Sequence, residues 1–191
     1  MTLNDGVLLY HGSYAPIQTI DLSLCAEGKD FGKGFYLTDN LAQAENFVSN
    51  SLKKAKNVKK IPNEQNFGYV MTYKFNMPRQ AVPSFVFETT SKEWLWFVAV
   101  NRRAKMAQKF KEVLSKELFE AEIVTGKIAN DTTNPTIMAY LDGLYGDIKS
   151  DTAINFAINQ LMPHRLNDQY CFLTERAISC LELVEVTRYE Q

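Results

Sequence analysis

The sequence predicts an α+β fold in one domain. Short β-type runs and amphipathic helical runs both occur, but they do not alternate as regular β–α–β units. The chain has 191 residues, of which 46% are hydrophobic and 12% aromatic, enough for one well-filled core. No repeat, low-complexity tract or long linker divides it. We therefore expect a single domain over residues 1–191.

The first half of the chain predicts four strands and one long helix. The strands are expected at residues 7–10, after a glycine turn within 30–38, at 69–75 and at 82–87. A loop with at most one helical turn is expected over 14–27. Thr38 or Asp39 is expected to cap the helix. Its apolar residues recur at helical spacing and form one face: Leu41, Ala44, Phe47, Val48 and Leu52.

The second half of the chain is richer in predicted helix. Thr90 and Glu93 have the spacing of a capping box, and the helix that they open carries Trp94, Phe97 and Asn101 on one face. Asn101 is either a core amide satisfied by the protein or a ligand contact. Further helices are expected at 106–118, 135–145, 152–161 and 175–180, and further strands at 121–125, 170–174 and 181–189. Gly126 and Pro163 are expected to end elements, and 128–132 to form a polar corner.

Composition and charge argue against several classes of protein. The net charge of −1 and the pI of about 6.2 give no overall attraction to nucleic acid or to anionic membranes. The three cysteines form no Cys-x-x-Cys pair, which favours a reducing compartment and no disulfide framework. We expect no secretory signal, and no apolar run approaches the roughly 20 residues that span a bilayer. We expect a cytoplasmic protein with no membrane segment.

Residues 30–39, Asp-Phe-Gly-Lys-Gly-Phe-Tyr-Leu-Thr-Asp, organise the rest of the chain. Gly32 and Gly34 permit backbone angles and close approaches that a side chain would block. Phe35 and Tyr36 are expected to point to opposite faces of a strand, one ring into a core and the other into a cleft. The alternative interpretation is a tight turn into an ordinary buried strand. Five lysines between residues 53 and 60 predict a charged helix end, with a phosphate-binding patch as the alternative.

The motifs of several common enzymes are missing from the sequence. His11 and His164 are the only histidines, and neither they nor the cysteines have zinc-ligand spacing. There is no phosphate-binding Gly-x-x-x-x-Gly-Lys-Ser/Thr loop, no dinucleotide fingerprint and no Gly-x-Ser-x-Gly nucleophile elbow. No metal site is therefore expected.

Three motifs in order do resemble those of a known superfamily. Residues 11–13 read His-Gly-Ser, residues 32–36 read Gly-Lys-Gly-Phe-Tyr, and Gln169 opens a late strand. This arrangement resembles the ADP-ribosyltransferase superfamily, on its diphtheria-toxin and poly(ADP-ribose) polymerase side. The whole chain is most similar to a bacterial domain-of-unknown-function branch of that clan. The resemblance implies a split β-sheet core flanked by helices, with a His-Tyr-Glu triad on three separate strands.

The resemblance also implies a role for each matched residue, with NAD⁺ as co-substrate. His11 would bond ribose hydroxyls, Gly12 would offer its backbone to the nicotinamide amide, and Tyr36 would stack on the nicotinamide ring. The expected catalytic residues are His11, Tyr36 and Gln169. The expected NAD⁺-binding residues are His11, Gly12, Ser13, Phe31, Lys33, Gly34, Tyr36, Asn101 and Arg102, with Asp30 and Asp131 as further candidates. Each of His11, Tyr36 and Gln169 could equally be a structural residue satisfied within the fold.

Gln169 departs from the glutamate of this superfamily. Gln accepts the same hydrogen bond but brings no charge to an oxocarbenium-like transition state, where one electrostatic group is often worth roughly 3 kcal/mol. Chain-elongating polymerisation is therefore not expected, and Glu175 is only a weak substitute.

We expect a mono-ADP-ribosyltransferase that acts on an unknown protein or nucleic-acid acceptor, in the manner of a bacterial toxin with an antitoxin partner or a phage-defence effector. One alternative is a catalytically silent module that binds NAD⁺, ADP-ribose or a protein. Another is an NAD⁺-dependent nucleic-acid-modifying relative, such as an RNA 2′-phosphotransferase.

Overall fold

The computed structural model describes residues 3–103, 110, 112–128, 133–162 and 166–190. Within these residues the chain forms seven strands, six α-helices and one 3₁₀ turn at Leu22–Leu24. The strands are β1 (Leu8–Ser13), β2 (Phe35–Leu37), β3 (Phe67–Phe75), β4 (Ser84–Val86), β5 (Ile123–Lys127), β6 (Asp168–Phe172) and β7 (Leu181–Glu190). The helices are α1 (Leu41–Asn57), α2 (Lys92–Arg102), α3 (Lys116–Glu120), α4 (Asn134–Leu141), α5 (Asp151–Gln160) and α6 (Glu175–Ile178). The predicted α+β class is confirmed.

The strands form two separate sheets. The first has the order β1-β3-β7 and is antiparallel throughout. The second has the order β2-β6-β5-β4, in which β4 and β5 run parallel. An isolated bridge joins the sheets: Tyr10 and Thr38 exchange both backbone hydrogen bonds, at 2.7 and 3.0 Å. The edges of β1 and β2 therefore meet at one point and diverge beyond it.

Three apolar clusters hold the two sheets and the helices together. The largest lies between one face of the second sheet and α2, α4 and α5, and it centres on Trp94 and Tyr140. The second lies between the two sheets and includes Leu9, Phe35 and Phe172. In the third, α1 packs through Ala44, Val48 and Leu52 on Val70 of β3. The alternation expected of Phe35 and Tyr36 is confirmed, because Phe35 joins the second cluster and Tyr36 packs against the first.

Two predicted strand ends are wrong. β1 continues to Ser13, so His11 and Gly12 lie inside the strand, opposite Met71 and Val70. β5 continues through Gly126, which pairs with Gln169. A Cβ at Gly126 would lie 3.0 Å from Phe31 Cζ, so this glycine makes room for a core ring rather than a turn. In both places pairing with a neighbouring strand outweighs the local glycine signal.

Both predicted helix caps are displaced along the chain. The N-cap of α1 is Asn40, whose side chain accepts from Gln43 N, because Thr38 is committed to the bridge with Tyr10. The N-cap of α2 is Ser91, whose Oγ accepts from Trp94 N at 3.2 Å. The spacing rule identified the right turn but not the right residue.

Several predicted helix bounds also change. Residues 112–115 form a turn before α3, so the helix expected at 106–118 does not continue through them. The helix expected at 135–145 ends at Leu141, where Gly143 adopts a φ of +77° in the following turn. The helix expected at 175–180 ends at Ile178. Residues 104–109, Pro163 and most of the 128–132 corner lie outside the described residues.

Candidate functional site

A cavity of about 690 Å³ opens where β1 and β2 diverge from their bridge. Its walls come from β1, β2, one side of α1, the segment 16–30, and single residues of α2 and β6. Pockets of some 300–1,000 Å³ are the usual size for small-molecule and cofactor sites. The cavity is therefore large enough for an extended organic ligand.

His11 enters the cavity from β1. Its Nδ1 lies 2.7 Å from the carbonyl oxygen of Tyr36, and its ring stacks on Phe35 with centroids 4.5 Å apart. A carbonyl only accepts hydrogen bonds, so Nδ1 must carry the proton, and Nε2 of the neutral ring is then an acceptor. Burial lowers the pKa of His11 below its ordinary value, against a smaller opposing effect of the bond to Tyr36. The site thus holds a neutral imidazole with a defined tautomer.

Gly12 contributes backbone to the cavity rather than a side chain. Tyr10 directs its N–H and C=O at Thr38, away from β3, and strand alternation gives Gly12 the same direction. Gly12 lines the cavity, whereas a Cβ there would point at α1 and lie 2.1 Å from the carbonyl oxygen of Ala44. The close contact with α1 therefore requires glycine at this position. A ligand in the cavity would meet the backbone edge of Gly12.

Tyr36 is fixed by its hydroxyl. The hydroxyl donates to Gly32 O at 2.8 Å and accepts from Phe31 N at 2.9 Å, so it closes the turn that precedes β2. Burial raises the pKa of Tyr36 far above its ordinary value, and nearby Cys171 adds to the effect. Tyr36 therefore cannot serve as an acid or base near neutral pH, and it is one of the residues that line the cavity.

Gln169 reaches the same cavity from β6. Tyr36 pairs with Cys171, so Tyr36 and Gln169 lie on one face of neighbouring strands. The Gln169 Nε2 donates to Asp30 Oδ2 at 2.9 Å and, more weakly, to Lys127 O at 3.5 Å. Both partners are acceptors, which fixes the orientation of the amide. Among the described residues none donates to Oε1, so Oε1 is the acceptor that this side chain can offer to a ligand.

Asp30 connects Gln169 to α2. Its carboxylate is 6% exposed and lines the cavity. Oδ1 accepts from Arg102 Nε at 2.8 Å and lies 2.6 Å from Arg102 Nη2, while Oδ2 binds Gln169. Arg102 also donates to Asn134 at the start of α4. The carboxylate is therefore shared between a guanidinium and an amide, and sequence reasoning gave Asp30 only a secondary place.

One side of α1 forms a wall of the cavity. Phe47 lines the cavity and is 38% exposed, and it shares a stripe with Gln43, Asn50 and Lys54 at helical spacing. The expected apolar face is thus wrong at Phe47, and also at Leu41, which is 41% exposed. The sequence did contain a signal for this cavity wall, because Gln43, Asn50 and Lys54 recur at helical spacing and so form a second face of the helix.

One protein-family model matches residues 7–183, almost the whole chain, and its description is "Protein of unknown function (DUF3990)". The chain belongs to the DUF3990 family. No curated protein matches the sequence. The DUF3990 match covers every strand of both sheets at least in part, and every predicted site residue.

In this DUF3990 domain, six of the residues expected to act as catalytic or NAD⁺-binding groups line the cavity: His11, Gly12, Gly34, Tyr36, Arg102 and Gln169. Four do not. Ser13 Oγ accepts from Ala15 N, and Phe31 lies in the core against Phe87 and Phe97. Lys33 is exposed, and Asn101 donates to Phe97 O and Asp30 O, as expected of a satisfied core amide.

Some predicted features fall elsewhere. Asp131 and His164 lie outside the described residues. Glu175 begins α6 and does not line the cavity. Within the described ranges there is no cluster of three or more His, Cys, Asp or Glu side chains arranged for a metal. Nor, in the same ranges, is any helix both long enough and apolar enough to cross a bilayer.

Proposed function

We propose that this DUF3990 domain binds NAD⁺ in the cavity and transfers ADP-ribose to a single acceptor nucleophile. One observation carries the proposal: His11, Tyr36 and Gln169, far apart in sequence and on three different strands, line one cavity. These are the positions that match the His-Tyr-Glu motifs of the ADP-ribosyltransferase superfamily. Residues brought together from separate strands into a concave site are the usual form of an active site.

The groups in the cavity suit the nicotinamide end of NAD⁺. Gly12 offers an N–H donor and a C=O acceptor along an open strand edge, the complement of a carboxamide. Tyr36 offers a fixed aromatic ring to a cationic pyridinium. His11 Nε2 and Gln169 Oε1 are acceptors for ribose hydroxyls. Lys29, Lys54 and Arg102 line the cavity and are the cations proposed near the pyrophosphate, whereas Lys33 does not line it.

The reaction breaks the bond between nicotinamide and ribose C1′. The bonding electron pair leaves with nicotinamide, and the acceptor then forms a new bond to C1′ and gives up its proton. The chain's own groups would hold the two ends of the breaking bond in place, which is where positioning contributes to rate. The acceptor, whether protein or nucleic acid, and an antitoxin partner belong to the same proposal.

The test is titration of the purified domain with NAD⁺, with released nicotinamide measured in the same sample. We expect binding and release in the wild type, and loss of release in His11→Asn. Asn can still donate to Tyr36 O but has no atom at the position of Nε2. As a control, Asp142→Asn removes a charge from the exposed Arg103–Asp142 ion pair and should leave release unchanged. Release that persists in His11→Asn would contradict the proposal.

A second candidate is a silent module that binds NAD⁺ or ADP-ribose without cleaving it. The observation in its favour is that Gln169 is uncharged and the Asp30 carboxylate beside it is paired with Arg102. Binding without release, with or without an added acceptor lysate, would favour this candidate.

A further inference from the structure

At the position of the superfamily's glutamate, this chain has Gln169, and the side chain of Gln169 is in contact with that of Asp30. Gln169 and Asp30 are 4% and 6% exposed, and their Nε2 and Oδ2 atoms are 2.9 Å apart. Both line the cavity. An amide and a carboxylate at this distance form one hydrogen-bonded unit, in which the carboxylate can only accept and the amide nitrogen can only donate.

We propose that Asp30 and Gln169 act as one split glutamate, in which Asp30 carries the negative charge and Gln169 presents the ligand-binding oxygen. Asp30 accepts from Nε2, and the remaining end of the amide, Oε1, is thereby turned to the cavity. Polarisation along such a chain strengthens the outer acceptor. Asp30 is in this sense a positioning residue, and the inference rests on the proposed function.

Arg102 keeps this arrangement in one orientation. It binds Oδ1 through Nε and Nη2, while Oδ2 accepts from Gln169. Among the described residues, further charged groups near this pair include the Lys127–Asp168 ion pair at the ends of β5 and β6, at 2.7 Å, and Lys29 and Lys54 in the cavity wall. His11 lines the same cavity as a neutral ring.

The Asp30–Gln169 pair predicts effects of substitution that a site with a single glutamate would not show. Gln169→Glu would bring two carboxylates into contact, and two such groups cannot both stay ionised without a shared proton. Restoring the superfamily's glutamate alone should therefore damage the site. Asp30→Asn alone should damage it too, because an amide held by Arg102 through its oxygen turns its NH₂ toward Gln169 and inverts that amide. The double variant Asp30→Asn with Gln169→Glu again pairs one amide donor with one carboxylate acceptor. The amide is now at position 30 and the negative charge at position 169.

The test is a double-variant cycle with two readouts. For stability, we expect the melting temperature of Gln169→Glu to fall by about 6 °C or more at pH 8. It should fall less at pH 5.5, where a proton can be shared. The double variant should recover much of this loss. For function, each single variant should lose about 10-fold or more in NAD⁺ cleavage, and the double variant should regain it. The wild type at both pH values corrects for other titrating groups.

Matched controls are Gln160→Glu at the end of α5 and Asp142→Asn in the exposed ion pair, which make the same chemical changes away from the cavity. The inference is overturned if Gln169→Glu keeps wild-type stability at pH 8, or if the two single losses are simply additive in the double variant. The melting cycle does not depend on NAD⁺. A wild type that neither binds nor cleaves NAD⁺ would therefore refute the proposed function, while the cycle would still decide the Asp30–Gln169 unit.

Discussion

At the scale of single residues, His11 shows how the site selects one form of a side chain. The ring is half-buried, stacked on Phe35 and bonded through Nδ1, and burial lowers its pKa from 6.5. A neutral ring can accept a hydrogen bond at Nε2, whereas a protonated ring cannot. The same burial that stabilises the contact between β1 and β2 therefore keeps Nε2 of His11 unprotonated and available to the proposed ligand.

The pH dependence of stability follows from this pKa. The unfolded chain binds a proton at His11 near pH 6.5, while the folded protein resists it to lower pH, so the unfolded state holds more protons in between. The contribution of His11 to stability should be fully present above pH 6.5 and should be lost as the pH falls below it through the lowered folded-state pKa. The expected loss is about 1.4 kcal/mol for each unit by which the folded pKa is lowered.

Urea unfolding at pH 7.5 and pH 5.5 measures the effect, with His11→Asn as the comparison. The variant lacks the titrating ring, so its stability should change less between the two pH values than that of the wild type. Equal changes in both proteins would show that other groups account for the dependence.

The residues whose positions were hard to predict from the sequence are those whose positions depend on tertiary contacts. His11, Tyr36 and Gln169 belong to recognisable motifs, but Asp30 acquires its place from partners on α2 and β6 that no local spacing reveals. Phe31 stands beside the motif yet lies in the core, because the turn at Gly32 directs it toward Phe87 and Phe97. Motif membership identified the segment, and tertiary contacts decided which side chains face the cavity.

At the scale of elements, the helix starts show that the same residue type can have opposite effects. Ser91 caps α2 by accepting from Trp94 N, whereas Ser115 begins α3 without a capping bond and its buried Oγ has no partner among the described residues. A capping hydroxyl stabilises a helix, but a buried hydroxyl without a partner costs free energy.

Replacing each serine by alanine separates the two effects. Ser91→Ala should lower the free energy of unfolding by about 1 kcal/mol, because the first turn of α2 loses its acceptor. Ser115→Ala should leave that energy unchanged or raise it slightly, because it removes an unsatisfied polar group. Denaturant unfolding of both variants at one pH provides the comparison. A larger loss in Ser115→Ala than in Ser91→Ala would contradict the assignment of Ser91 as the capping serine and of Ser115 Oγ as an unsatisfied group.

Element type was predicted well because hydrophobic period and turn residues are local signals. Within the described residues, every strand overlaps a predicted strand and every helix overlaps a predicted helix, although α3 does so only over residues 116–118. Strand ends were less predictable, as β1 shows, since the pairing of Ser13 with Tyr69 depends on a partner more than fifty residues away. The cap of α1 shifted in the same way, because Thr38 is bridged to Tyr10 of β1.

At the scale of the whole molecule, the two sheets and their single bridge place the three thiols in different environments. Cys25 is half-buried in the cavity wall, Cys180 lies in the core between the sheets, and Cys171 is fully buried next to Tyr36 and Gly34. Burial raises the pKa of all three thiols. Only the thiolate reacts quickly, so access decides the order of reaction.

Labelling of the native protein with a thiol reagent should therefore show one faster site. Cys25 should react first, and Cys25→Ser should remove that phase. Cys171 and Cys180 should react only at the rate at which the domain opens. NAD⁺ should slow the labelling of Cys25 if it fills the cavity as proposed. Fast labelling of Cys171 in the folded protein would contradict the buried position of β6.

The two-sheet arrangement itself came only from the resemblance to a superfamily, because periodicity does not reveal which strands pair. The order β2-β6-β5-β4 joins strands from opposite ends of the chain. Such non-local pairing carries no local pattern in the sequence.

Gly12 is a residue whose retention during evolution could be mistaken for evidence of function. A side chain at this position would collide with the backbone of α1, 2.1 Å from the Ala44 carbonyl, whether or not the cavity ever holds a ligand. Purifying selection for folding alone would therefore preserve glycine here in every descendant, including those that have lost all activity. Persistence of Gly12 is therefore no evidence that the cavity of a given family member holds a ligand.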